Sequence, residues 1–335
     1  MSGVETAVRG SAPPSREALS DAIGRATDFL AAEQEPDGGF LNQVWHLETP
    51  ETVQGNVFPA ALIAHSLSFA AEGEQVRAKA VGFLERERLP SGVWKHPSAR
   101  EYTHFFFPPD VDDTACAAAA LKQVGRPTRT SEKMLLANRD RRGLFYTWFT
   151  ARPRWSGWDH LRLVLPQLRH AHLLVPLFTE PPCSIFNVDP VVNANALFCL
   201  GEGADTEAVA PWLVEILRRR AEADCDPWYP SPFTVRYFLA RALGPWHGEA
   251  GELMRAALDA EEPRTSLDIA FHLAARFYWD MPADDELASR LLEGQLPSGA
   301  WPPEPFYRGG DYWWGSAALS TAFAVEALGR RREAL

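Results

Sequence analysis

The chain has 335 residues, of which 46% are hydrophobic and 23% charged, with a formal net charge of -11 and a pI near 5.4. This is globular composition with room for one large core or two smaller ones, and the acidic balance, with no basic stripe beyond a short "RDRRG" at 139–143, argues against nucleic acid as a partner. No apolar run is long enough to span a membrane, and the opening "MSGVETAVRGSAPPSREALS" lacks the apolar middle of a secretory leader, so the expected location is the cytoplasm.

Residues 1–16 read as a disordered tail, and residues 17–330 as one helical domain. Within it two kinds of helix alternate along the chain. One kind has a strongly charged face: "REALSDAIGRATDFLAAEQ", "EQVRAKAVGFLERER", "SEKMLLANRD", "TEAVAPWLVEILRRRAE", "EAGELMRAALDA" and "DDELASRLLEGQ". Each is followed by a segment of small and apolar residues at helical spacing: "NVFPAALIAHSLSFAA" (56–71), "DDTACAAAALKQV" (112–124), "VDPVVNANALFCLG" (188–201), "SPFTVRYFLARAL" (231–243), "RTSLDIAFHLAARF" (264–277) and "GSAALSTAFAVEALG" (315–329). Helices apolar nearly all round are buried and those with a charged face cover them. Six of each kind predict an all-α, single (α/α)6 toroid, with six inner helices lining a cavity and six outer helices wrapping them. Strand signals are weak. Residues 139–187 interrupt the alternation with a segment too aromatic for a solvated linker, expected to add a helix and pack over one mouth of the ring.

The turns between outer and inner helices also repeat. "EQEPDGGF" (33–40), "ERLPSGVW" (87–94) and "GQLPSGAW" (294–301) each carry Pro, then Gly, then an aromatic residue, a pattern that closes the helix and pins the turn. Cys116, Cys183, Cys199 and Cys225 are scattered with no CxxC pair and read as reduced thiols, with no metal site.

One stretch asks for more than packing. In "FFFPPDVDDTACAAAAL" (105–121), Asp110, Asp112 and Asp113 stand where a core helix begins. A single Asp suffices as a cap; three carboxylates that are both crowded and buried hold at least one as the neutral acid.

The "QLPSGAW" turns resemble the QW repeats of the squalene–hopene cyclase superfamily, "EQEPDGGF" having Phe where the family has Trp, and "DVDDTA" (110–115) matches the Asp-x-Asp-Asp-Thr-Ala motif of class II terpene cyclases. The usual class II enzymes join two such barrels and cyclise between them. This chain has room for one, so it resembles the single-barrel members of the family, and a lone barrel must hold the whole polyene in its own lumen.

The resemblance implies protonation-initiated cyclisation of a linear isoprenoid or a prenylated aromatic (meroterpenoid) substrate, with Asp112 as proton donor and Asp110 and Asp113 holding and polarising it. Family members place a His or Asn one repeat later to hydrogen-bond the acid. Here Asn193 and Asn195 are the choices, and Asn193 is preferred; in the alternative both make structural bonds to loops. Among the many aromatic residues near helix ends, which include Trp148, Tyr229 and Tyr307, the expected cavity wall is Phe107, Trp228, Tyr237, Tyr312 and Trp314, whose ring faces would stabilise cations. Asp268 and His272 lie four apart on one helix face and can pair; His272 is a candidate to receive the terminal proton, as is His65, against the commoner reading of satisfied buried histidines.

No cofactor is required by such chemistry, and Mg2+ only if the substrate is a diphosphate, for which Lys95, Arg100, Arg152, Arg154, Arg236, Arg264 and Arg308 are the nearby cations. Peripheral membrane contact would serve substrate uptake. The competing readings are an (α/α)6 glycoside hydrolase or lyase, which needs two acids on opposite sides of a sugar, and a non-catalytic isoprenoid-binding toroid, which does not need Asp112.

Overall fold

The computed structural model describes residues 13–46, 51–152, 157–179, 183–244 and 248–335. The tail expected over residues 1–16 thus lies mostly outside the described residues, and α1 begins at Arg16. In chain order the elements are α1 (Arg16–Glu33), β1 (Phe40–His46), β2 (Thr52–Asn56), α2 (Val57–Ser66), α3 (Glu74–Glu87), α4 (Val111–Gln123), α5 (Arg129–Ala137), α6 (Trp158–Val164), α7 (Ala171–Thr179), α8 (Pro190–Leu200), α9 (Val209–Arg219), α10 (Pro232–Leu243), α11 (Glu249–Asp259), α12 (Ser266–Tyr278), α13 (Asp285–Glu293), β3 (Tyr307–Gly309), β4 (Tyr312–Gly315) and α14 (Ala317–Glu333).

The six apolar segments become α2, α4, α8, α10, α12 and α14. Each packs on the next, and α14 returns to α2, so the six close on themselves. Every residue of α2 and of α10 from Phe233 to Leu243 is buried, as expected for helices with neighbours on all sides. The charged-face helices α1, α3, α5, α9, α11 and α13 each pack on one of these six. In α9, for example, Val209, Leu213, Ile216 and Leu217 turn inward while Arg218 and Arg219 face solvent.

The repeated turns tie this assembly together. Trp94 and Trp301 are fully buried. Their indoles donate to the carbonyls of Leu84 and Leu291, both at 2.7 Å, in the last turns of α3 and α13, where carbonyls lack helical partners. Their backbone N–H groups donate to Thr114 Oγ1 at 3.1 Å and Thr321 Oγ1 at 3.0 Å on the next core helix. The Thr of "DVDDTA" is therefore a strut between turn and helix. Gly38 and Gly299 have φ of 85° and 90°, and a Cβ at either would fall 2.3 Å from the carbonyl oxygen of Lys79 or Arg25 on the neighbouring charged helix, so only Gly fits. At the first turn Phe40 fills the Trp position and offers no indole donor.

Two features depart from the sequence expectation. A four-stranded antiparallel sheet, in the order β2-β1-β4-β3, joins residues 40–56 to 307–315. Its strands run only three to seven residues, too short for a period-two pattern to stand out. Residues 139–187 contribute two α-helices, α6 and α7, with a 3-10 turn between them, where one was expected. Among the described residues no helix is long and apolar enough to cross a membrane.

Candidate active site

The start of α4 is where local structure and chemistry meet. Asp110 is its N-cap, accepting from the Asp113 backbone N–H at 2.7 Å, so one of the three carboxylates does serve as a cap. The other two occupy the first turn and point in different directions. Asp113 is buried, with its Oδ2 3.3 Å from His96 Nδ1; His96 Nε2 in turn faces the Tyr307 hydroxyl at 3.1 Å, which accepts from Asn42 Nδ2 at 2.8 Å. Asp112 alone keeps part of its surface open, and it opens into a cavity of about 280 Å³.

Two donors hold the Asp112 carboxyl: Tyr229 donates its hydroxyl to Oδ2 at 2.5 Å and Asn195 donates its amide to Oδ1. Burial pushes the Asp112 pKa above the ordinary carboxylate range, while these two hydrogen bonds and the charge of Arg241 pull it back. The group is protonated more readily than a surface Asp, yet its conjugate base is received by preformed donors. Burial, then the neighbouring Asp113, pushes Asp110 well up, and burial raises Asp113 to about 7. Burial also pushes the Tyr229 phenol up, so it stays a neutral donor.

The cavity wall is aromatic: Phe58, Phe107, Trp148, Trp228, Tyr229 and Trp314 line it. Trp228 is set by its environment, its indole donating to Asp189 Oδ2 at 3.1 Å and its ring lying edge-on to Trp148 at 5.8 Å between centroids. The sheet closes one side through Gln54, Tyr307 and Trp314, and α7 contributes Leu177. A larger cleft of about 840 Å³ lies on the other side of Phe107, lined by Lys95, Arg129, Lys133 and Arg162 with a single carboxylate, Asp159.

The structure brings Asp110, Asp112, Asp113, Phe107, Trp228 and Trp314 together. It corrects four expectations. Asn193 does not touch the acid: its amide exchanges hydrogen bonds with the Phe145 backbone, at 2.8 and 3.0 Å, and donates to the Asp189 carbonyl. Asn195, two residues on and roughly opposite around the helix, is the one that reaches Asp112. Tyr237 is fully buried away from the cavity and donates to Glu326 Oε2 at 2.9 Å. Tyr312 is on the outer surface, 45% exposed and against His46 at 4.3 Å. His272 borders a separate surface cleft with Arg276 and Asp284, and burial lowers its pKa to about 4; its neighbour Asp268 accepts from Ser231 instead.

His65 is likewise elsewhere, held by Tyr278 at 3.0 Å and Gln123 at 2.8 Å. Of the expected cations, Arg154 lies outside the described residues and none of the other six lines the acid cavity. Arg308 flanks it beside Gly309, Lys95 stands beyond Phe107, and Arg236 is spent on Glu222 and Glu261. Among the described residues no group of three His, Cys, Asp or Glu side chains is placed to hold a metal ion.

Selection from sequence passed over Tyr229, His96 and Arg241. Tyr229 sits in "WYPSP", an aromatic just ahead of a Pro and a core helix, as Phe107 does ahead of α4; His96 follows the Trp of a repeated turn by two; Arg241 is, with Arg236, one of two cations in a core helix, and a buried cation signals a polar task.

The raised carboxyl groups make stability depend on pH in a defined direction. Asp113 binds its proton up to about pH 7 when folded, against 3.8 for the free side chain. Its contribution is complete below about 3.8 and is lost as pH rises through about 7. The unfolding free energy of the wild type, from denaturant melts, should therefore fall relative to that of Asp113→Asn as pH rises from about 4 to about 7, by up to about 1.4 kcal/mol per pH unit. Parallel curves would contradict this protonation state.

Comparisons with known proteins place this geometry in a fold. No family model matches the chain, and no curated protein matches it in sequence. Solved structures do match in shape. The type II terpene cyclase MstE from Scytonema, as a variant in complex with geranylgeranyl dihydroxybenzoate (substrate), superposes with a TM-score of 0.72 at 15% identity, over 96% of this chain and 99% of that one. A protein from Actinoplanes gives 0.73 at 17% identity, over 95% and 100%. The ent-copalyl diphosphate synthase from Streptomyces platensis gives 0.58 at 18% identity over 82% of this chain and 50% of that one. The chain thus has the fold of type II terpene cyclases, at about the length of MstE, and it matches half of the copalyl diphosphate synthase chain.

Proposed function

We propose that the chain is a class II terpene cyclase of the squalene–hopene cyclase superfamily, built as a single (α/α)6 toroid over residues 17–330, and that it cyclises a prenylated aromatic substrate by protonating the terminal alkene. The observation that carries this is the Asp112 carboxyl, open to an aromatic cavity with both oxygens met by donors, Tyr229 and Asn195. The closed set of six apolar helices and the fold shared with MstE support it.

In this reading the Asp112 O–H bond breaks, the alkene π pair forms the new C–H bond, and the carboxylate left behind is stabilised where it forms. Successive alkenes then attack the cation, and loss of a proton ends the cascade, so the product is an isomer of the substrate. The faces of Phe107, Trp148, Trp228 and Trp314 stabilise the cations and keep water away. Asp110 and Asp113 hold the acid in place. The proton comes from the protein, so no cofactor is called for, and Mg2+ would serve only to bind a diphosphate.

Among the described residues no Lys or Arg lines the cavity, which favours a head group of low charge at its mouth near Arg308, as in an aromatic acid, over a diphosphate. Exposed Tyr102, Phe105, Leu165 and Leu168, on segments bordering the cavity loops, are where we place membrane contact during substrate uptake in the cytoplasm. The test is incubation with geranylgeranyl dihydroxybenzoate and, separately, with geranylgeranyl diphosphate and Mg2+. Cyclised product from the first supports the reading; turnover of the diphosphate alone would reverse the substrate assignment.

A further inference from the structure

Arg241, on α10, is buried to 2% exposure. Its Nη2 donates to Asn195 Oδ1 and lies 3.6 Å from Cys116 Sγ. Its guanidinium carbon is 4.5 Å from the Phe198 ring centroid and 4.9 Å from that of Phe238. It makes no ion pair among the described residues, and its Nε has no hydrogen-bond partner. A buried cation without a carboxylate is costly, and aromatic faces offset only part of that cost. The chain keeps one at a position from which it reaches the acid through one side chain, Asn195.

An amide has a donor end and an acceptor end, whereas a guanidinium only donates. Arg241 therefore holds the Asn195 carbonyl toward itself and the amide N–H toward Asp112 Oδ1. Turned round, the amide would accept the Asp112 proton and hold it away from the cavity. We propose that Arg241 is a positioning residue for proton transfer, acting through Asn195: it fixes the amide as a donor to the forming carboxylate and supplies a positive charge that the carboxylate meets only once the proton has left. This rests on Asp112 being the proton donor. Before transfer no carboxylate pairs with the guanidinium among the described residues, Glu326 being held by Tyr237, Tyr278 and Arg330; afterwards one stands a single amide away. The interaction is stronger after transfer than before, which is the condition for it to raise the rate.

Two variants separate positioning from packing. Arg241→Met keeps length and apolar contact but loses the donor and the charge; Arg241→Lys keeps both. With geranylgeranyl dihydroxybenzoate, kcat of Arg241→Met should fall about 10²-fold with KM little changed, and Arg241→Lys should recover most of it. In an Asn195→Ala background Arg241→Met should add a smaller loss than in the wild type, the part due to its charge alone, because no amide remains to orient. Removing a buried unpaired charge leaves the melting temperature unchanged or higher; a packing role predicts a lower one.

A readout without turnover is the ionisation of Asp112, followed by 13C NMR of aspartate carboxyls and assigned by its loss in Asp112→Asn. The other groups around it, Asp110, Asp113, His96, Tyr229, Cys116 and the Asp189–Asp226 pair, are unaltered in every variant. The midpoint should rise in Arg241→Met and stay near wild type in Arg241→Lys. An unchanged midpoint, or a loss of kcat that tracks a lower melting temperature and is not recovered by Lys, overturns the inference. A wild type that cyclises nothing overturns the proposed function, and the titration still decides for or against Arg241.

Discussion

Asp112→Asn should lower cyclisation by about 10³- to 10⁴-fold while the protein melts near the wild-type temperature. The substitution keeps the shape of the side chain and its carbonyl still accepts from Asn195, while the Tyr229 hydroxyl can rotate to accept from the new amide. What disappears is the transferable proton. Asp110→Asn should do much less, because Asn is nearly as good a cap and the exchange costs no more than about 1 kcal/mol. Product yield and melting temperature for the two variants separate an acid from a set of caps. If all three carboxylates were structural, both variants would behave alike, and a non-catalytic isoprenoid-binding toroid would bind substrate equally well with Asn at 112.

The second large effect is a division between two amides two residues apart. Asn193→Ala removes the side chain that satisfies the buried Phe145 N–H and carbonyl, leaving backbone groups unpaired, and should cost about 2–4 kcal/mol of stability. Its effect on rate should follow from lost fold alone. Asn195→Ala strips one donor from the Asp112 carboxylate and the acceptor from Arg241; kcat should fall about 10²- to 10³-fold. Thermal melts and kcat measured side by side check both. Equal loss of rate in the two variants at equal stability would return the role to Asn193.

Why Asn193 was preferred from sequence, and why that failed, shows where pattern runs out. The alternation of apolar and charged helices is a property of burial, and burial is what period and composition report, so the helices of the ring are legible, to within a residue at α4 and α10 and less closely at the ends of α2 and α14. "DVDDTA" is legible because three carboxylates at a core helix start have no adequate structural explanation. Rotation about a helix axis is different. It decides which of Asn193 and Asn195 meets Asp112, and it depends on how α8 packs on α4, which no local pattern encodes. The same limit applies to Tyr237, in the middle of α10, and Tyr312, on β4, whose directions are set by Glu326 and by the strand pairing of β4 with β1. Tyr229 and His96 arrive at the acid from distant turns, and Arg241 from the last turn of α10. Only its place as a cation in a core helix, which Arg236 shares, marks it in advance.

Delivery of the first proton to carbon by Asp112 leaves an isotopic mark in the product. It is tested most directly by running the reaction with geranylgeranyl dihydroxybenzoate in D2O, with the enzyme equilibrated in the same solvent. The expected product is a cyclised isomer carrying one carbon-bound deuterium, placed at the alkene carbon that receives the first proton, with no such product from Asp112→Asn. A cyclised product with no carbon-bound deuterium, or one formed equally well by Asp112→Asn, would contradict it.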